Sequence, residues 1–169
     1  MSRYSHVQIS ALSRLRAATG VGAVLLSLSA GLAAAETTLD VLAGTWRGSG
    51  AILFEDGKSE NISCKGYYRA SPNLSVVFRC KGSSTNFELR SKLLKADGEK
   101  VSGVWEERTY NVTGDASGTA SAGKLNVRFG GSLEGSLNVT FTPSSQSVSV
   151  SIDTKGTGLK GAKLSFSRM

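Results

Sequence analysis

From Thr45 onward, apolar side chains recur at every second position, the period of a strand with one face in a core and the other in water. In "TWRGSGAILF" Trp46, Ile52 and Phe54 share a face. Around "CKGYYRASPNLSVVFRC" the separation is cleanest. Ile62, Cys64, Gly66, Tyr68, Val76, Phe78 and Cys80 fall on one side, and Lys65, Tyr67, Arg69, Val77, Arg79 and Lys81 on the other. Later segments keep the rule, with Leu125, Val127 and Phe129, then Leu133, Leu137, Val139 and Phe141, then Val148, Val150 and Ile152, and finally Ala162, Leu164 and Phe166. Turn signals return at intervals of roughly 8 to 12 residues, as in antiparallel barrels and sandwiches. The stretch "TGDASGTASAG" is small and polar, and it predicts a strand only weakly.

The turns fix a register. Ser71-Pro72-Asn73 reads as a three-residue hairpin loop, which sets Ala70 against Leu74, Tyr68 against Val76, Gly66 against Phe78 and Cys64 against Cys80. A similar loop at Glu55-Asp56-Gly57 sets Gly48 against Cys64 and Trp46 against Gly66. Gly82-Ser83, read as a two-residue turn, brings Phe87 to Phe78 and Leu89 to Val76. A loop at Ala96-Asp97-Gly98 brings Val101 to Leu93 and Trp105 to Leu89.

Successive hairpins leave two raw edges unless the last strand pairs with the first. Interior glycines at 48, 50, 66, 103 and 135 suit the curvature that closure needs. The expected fold is therefore all-β, an antiparallel up-and-down barrel of about ten strands with a short N-terminal helical turn.

The first 35 residues carry a different pattern. Arg3, Arg14 and Arg16 precede the apolar run "AATGVGAVLLSLSAGL", and Ala33-Ala34-Ala35 supplies a small-residue cleavage site. Residues 1–35 read as a signal peptide, leaving 36–169 as a single barrel domain, periplasmic or secreted. The apolar run is too short and too interrupted by Gly and Ser for a spanning helix. Three of the 20 Lys and Arg lie in the leader, so 17 face 13 Asp and Glu, a mature net charge of +4. The lone histidine, His6, goes with the leader. Without it there is no histidine-based nucleophile pair and no imidazole metal site. The expectation is a protein without catalysis, cofactor or metal, and without nucleic acid as a partner.

In an oxidising compartment the only two cysteines, Cys64 and Cys80, are expected to pair as a structural staple across their hairpin.

"LDVLAGTWRGSG" resembles the start of the lipocalin and fatty-acid-binding (calycin) superfamily, where a short helical turn enters the first strand through Gly-x-Trp, here Gly44-Thr45-Trp46. The resemblance implies that a basic residue late in the barrel packs over that tryptophan, and Arg168 in "SFSRM" matches. "LAG-x-W" followed by one disulfide also resembles, more weakly, the bacterial periplasmic metalloprotease inhibitors.

Two surfaces could carry function. Tyr68, Phe78, Phe87, Leu89 and Trp105 are predicted to form an inner wall, either packed core or the lining of a cavity for a small apolar or amphipathic ligand. Glu107 shares that face near the barrel end. On the outer face Lys65, Arg69, Arg79, Lys81 and Arg90 surround Tyr67, with Lys65 opposite Arg79 as an unrelieved like-charge pair; such a patch suits an anionic envelope component. The leading expectation is an exported binder of a lipid-like ligand. The alternatives are a protein-binding module such as a protease inhibitor, working through the segment before Trp46, and a surface binder of anionic polymer.

Overall fold

The computed structural model describes residues 39–70 and 73–169, with 92–96 as backbone only. The leader and the tip residues Ser71 and Pro72 lie outside them. Ten strands follow one 3-10 turn at Asp40–Leu42: β1 Gly44–Phe54, β2 Ser59–Ala70, β3 Leu74–Lys81, β4 Asn86–Asp97, β5 Lys100–Glu107, β6 Val112–Ser121, β7 Lys124–Gly131, β8 Gly135–Phe141, β9 Ser145–Ile152 and β10 Leu159–Arg168. Every strand pairs antiparallel with its neighbours in sequence, and β10 pairs with β1 to close the barrel. The weakly predicted small-residue segment is β6, a full member of the wall.

Alternation puts the apolar face inside. β2 alternates without a break from Glu60 to Tyr68, even-numbered residues buried and odd-numbered ones exposed. The predicted β1–β2 and β2–β3 registers are those observed, including Trp46 opposite Gly66 and Cys64 opposite Cys80, and the two cysteines form a disulfide. Outward positions carry Arg, Lys, Ser, Thr and Asn rather than the apolar band of a lipid-facing barrel.

Two registers differ from expectation. Gly82 N–H closes on Thr85 O, so the β3–β4 connection spans four residues, not two, and Phe78 meets Leu89 while Phe87 meets Cys80. This two-residue slip keeps the same faces inward, because strand side chains have period two. On β4, pairing shifts between Ser91 and Leu93, where an extra residue bulges. The β4–β5 turn then tightens to Gly98-Glu99, with Asp97 opposite Lys100, Trp105 opposite Ser91 and Val101 opposite Ala96.

The two ends differ. The 3-10 turn and the loops after β2, β4, β6 and β8 lie at one end, the plugged end; the loops after β1, β3, β5, β7 and β9 lie at the other, the loop end.

Candidate functional site

At the plugged end the first and last described elements of the chain meet. Trp46 is fully buried, and its indole N–H donates to the carbonyl of Leu42 at 2.9 Å. The Arg168 guanidinium lies 4.5 Å from the Trp46 ring centroid, a cation–π distance, and donates to the carbonyls of Val41, Ala43 and Pro143. Those carbonyls belong to the 3-10 turn and the β8–β9 loop, so one side chain ties both to the end of β10. Rings continue inward from Trp46 to Tyr68, Phe78 and Phe166, with centroids 6.3, 5.5 and 5.3 Å apart in turn. The Tyr68 hydroxyl donates to Gln146 Oε1 at 2.7 Å, and burial pushes its pKa far above the usual phenol range.

Toward the loop end the inward side chains are less covered. Phe54, Phe87, Leu89, Phe129, Leu137, Val150 and Leu159 are only partly buried, whereas Leu125, Val127, Val139, Val148 and Phe166 are buried. There are exceptions: Ile52, Ile62 and Cys80 on β1 to β3 stay buried near a loop held by Glu60, and Trp105 on β5 and Ala162 on β10 are buried as well. Glu60 points inward, and its carboxylate accepts from Ser83 Oγ, from Ser84 N–H and Oγ, and from Thr85 N–H and Oγ1. These donors, Thr85 Oγ1 foremost, hold its carboxyl far below the ordinary glutamate value. Sequence reasoning missed Glu60; its even number among buried residues, followed by "GSST" across the next hairpin, was the available signal.

The five residues predicted to form one wall all point inward, at two levels. Tyr68 belongs to the packed end, and Phe78, edge-on to its ring, stands between the levels, directly opposite Leu89. Phe87 and Leu89 lie toward the loop end, as does Trp105, whose ring meets Phe129 edge-on at 5.6 Å. Glu107 is occupied: it accepts from the backbone N–H of Glu88, Thr109 and Tyr110 and so fixes the β5–β6 loop. Besides Gln146 Nε2 beside Tyr68, two buried polar side-chain atoms lack a partner among the described residues, Ser91 Oγ and Trp105 Nε1, and these two stand on neighbouring strands.

Outside, Lys65, Arg69, Arg79, Lys81 and Arg90 share the outer face of β2 to β4. Lys65 does stand opposite Arg79, yet that pair is relieved. Glu88 lies across from Arg79 on β4 and bonds it at 2.8 Å while also pairing with Arg90. Arg79 first, then Arg90, holds the Glu88 carboxyl below its ordinary value. Arg47 extends the basic row as the β1 neighbour of Lys65, a position the alternation of "TWRGSG" marks as outward. The Arg79 guanidinium lies 5.9 Å from the Tyr67 ring centroid, and Tyr67, Arg69, Val77 and Arg90 help line a shallow groove of about 520 Å3.

No protein-family model and no curated protein sequence matches the chain. Solved structures do resemble it. Rv2717c from M. tuberculosis superposes with a TM-score of 0.58 at 13% identity, over 79% of this chain and 98% of its own. The S-type phycobiliprotein lyase CPES from Guillardia theta gives 0.54 at 12% identity, over 78% and 90%. Both are ten-stranded β-barrels, and the chain has their fold, a closed antiparallel barrel of ten strands.

Proposed function

We propose that this protein binds a small apolar or amphipathic ligand in the loop-end half of its barrel and does so without catalysis, in the periplasm or outside the cell. The observation that carries the reading is the gradient of burial along the barrel. Inward apolar side chains near Trp46 and Arg168 are sealed, and those near the loop end, from Phe87 and Leu89 to Phe129 and Leu137, keep exposed surface. A pocket with apolar walls and few polar groups is the usual form of a small-molecule site. The disulfide fits an oxidising compartment.

Native mass spectrometry of the protein purified from its own envelope, before and after mild organic extraction, tests the reading. The expected result is a bound mass that extraction removes and an apo form that takes up an apolar fluorescent probe. No bound mass together with no probe uptake would overturn it.

A second reading rests on the outer groove around Tyr67, where Arg47, Lys65, Arg69 and Lys81 add to the two arginines that Glu88 already engages. That surface suits an anionic envelope polymer. Retention on an immobilised polyuronate should fall steeply with added salt and drop further when Lys65 and Arg69 are replaced by Ala; salt-independent retention counts against it.

A further inference from the structure

We infer that the barrel's ligand is neutral at its inner end and presents a hydrogen-bond acceptor, a carbonyl, ester or amide oxygen, to Trp105 Nε1, with Ser91 Oγ a second polar group on the next strand. The inference rests on the small-ligand reading above and adds to it the chemical class of the ligand.

Ser91 on β4 and Trp105 on β5 are direct cross-strand neighbours on the inner face, and the indole leans to the other side of β5, toward Gly114 on β6 and Phe129 on β7. Trp105 is 9% exposed, and neither its Nε1 nor Ser91 Oγ has a hydrogen-bond partner among the described residues. An indole N–H can only donate, so nothing but an acceptor satisfies it. The other tryptophan shows the usual outcome, since Trp46 Nε1 donates to Leu42 O. Two orphaned groups side by side are uncommon, because buried polar groups are nearly always paired.

The β4 bulge falls between Ser91 and Leu93, and bulges re-aim side chains where they interrupt a ladder. Gly114 stands opposite Trp105 on β6, where a Cβ would run into the carbonyl of Gly130 at 1.7 Å and come within 2.8 Å of Nε1. Gly103, Ala116 and Gly118 continue this small-residue wall, and Phe129 and Leu89 beside it are only partly buried.

Charge selects the class. Above Arg168, the inward positions with described side chains carry no Lys or Arg. The nearest carboxylate on this face, Glu107, lies two residues along β5 from Trp105. Among the described side chains of this face, an anionic head group would therefore meet a like charge and no counter-charge, and a neutral acceptor meets the free indole N–H of Trp105.

The chain has two tryptophans, so its indole N–H groups give two cross-peaks in a 1H–15N spectrum, and Trp105→Phe assigns them. Methyl octanoate, nonane and octanoate serve as probes of matched length. The expected result is that the ester moves the Trp105 indole proton downfield and leaves that of Trp46 in place. Nonane should bind without that shift, and octanoate about tenfold more weakly than the ester. Trp105→Phe should weaken ester binding about tenfold, the worth of one buried hydrogen bond, with nonane unaffected; Ser91→Ala should act in the same direction. Ester and nonane binding alike, with the Trp105 peak unmoved, would overturn the inference and leave the barrel reading standing. No binding of any probe would remove both.

Discussion

Glu60 shows how much one inward carboxylate can organise. Five hydrogen bonds from three consecutive residues, Ser83 to Thr85, converge on it, and they favour its charged form. Its native pKa is depressed, so its contribution to stability is complete above the unfolded glutamate value near 4.5 and is lost as pH falls through the native value. Urea midpoints measured from pH 6 downward should therefore fall as the solution becomes more acidic than about pH 4.5, and Glu60→Gln should be less stable at neutral pH with a shallower acid slope. Parallel acid slopes for the two proteins would show that the carboxylate's charge is not what the loop recognises. Gly82 belongs to the same device, since a Cβ there would lie 2.2 Å from Glu60 Oε1.

The strands that sequence reading placed well are those whose turns announce themselves. Gly57 has positive φ and sits in a three-residue loop, so the turn alone is enough to pair β1 with β2 residue by residue. Gly82 resembles the start of a two-residue turn, but the Glu60 carboxylate holds the following three residues in a wider loop, and its role there is not visible from neighbouring sequence. The bulge after Ser91 shifts the phase of alternation by one residue, and Leu93-Leu94 conceal the shift because an apolar residue stands in either phase. Strand β6 was faint for a physical reason: Gly114, Ala116 and Gly118 give little hydrophobic signal while allowing close approach of backbone. The inner wall was legible as a face and not as two levels, since period two specifies direction and not height. At the seam between β1 and β10, Gly50 has no room for a side chain, its Cβ position lying 1.9 Å from the carbonyl of Lys163. Gly50→Ala should destabilise the barrel by about 2 kcal/mol, as overpacking does, read from a urea titration. A neutral result would mean the seam can slide.

Over the whole molecule, the single covalent link is local. Cys64 and Cys80 are 16 residues apart and join adjacent strands that their hairpin already pairs. Replacing both with Ala should lower stability by about 3 kcal/mol, the chain-entropy value for a loop of this size, measured as a shift in denaturation midpoint. A protein as stable without the bond as with it would mean the hairpin persists in the unfolded chain. Closure of the barrel depends instead on contacts between strands far apart in sequence, with Trp46 opposite Arg168 and Gly48 opposite Phe166. Every other strand pair joins sequence neighbours and can form as soon as its hairpin exists. The seam alone must wait for β10. Until that strand arrives, β1 offers an unpaired edge, and a chain made or delivered from its N-terminus carries that open edge while all the strands between emerge. Arg168, at the end of β10, thus acts as a completion signal: a chain cut short before it keeps its hairpins but loses the clasp that shuts the ring.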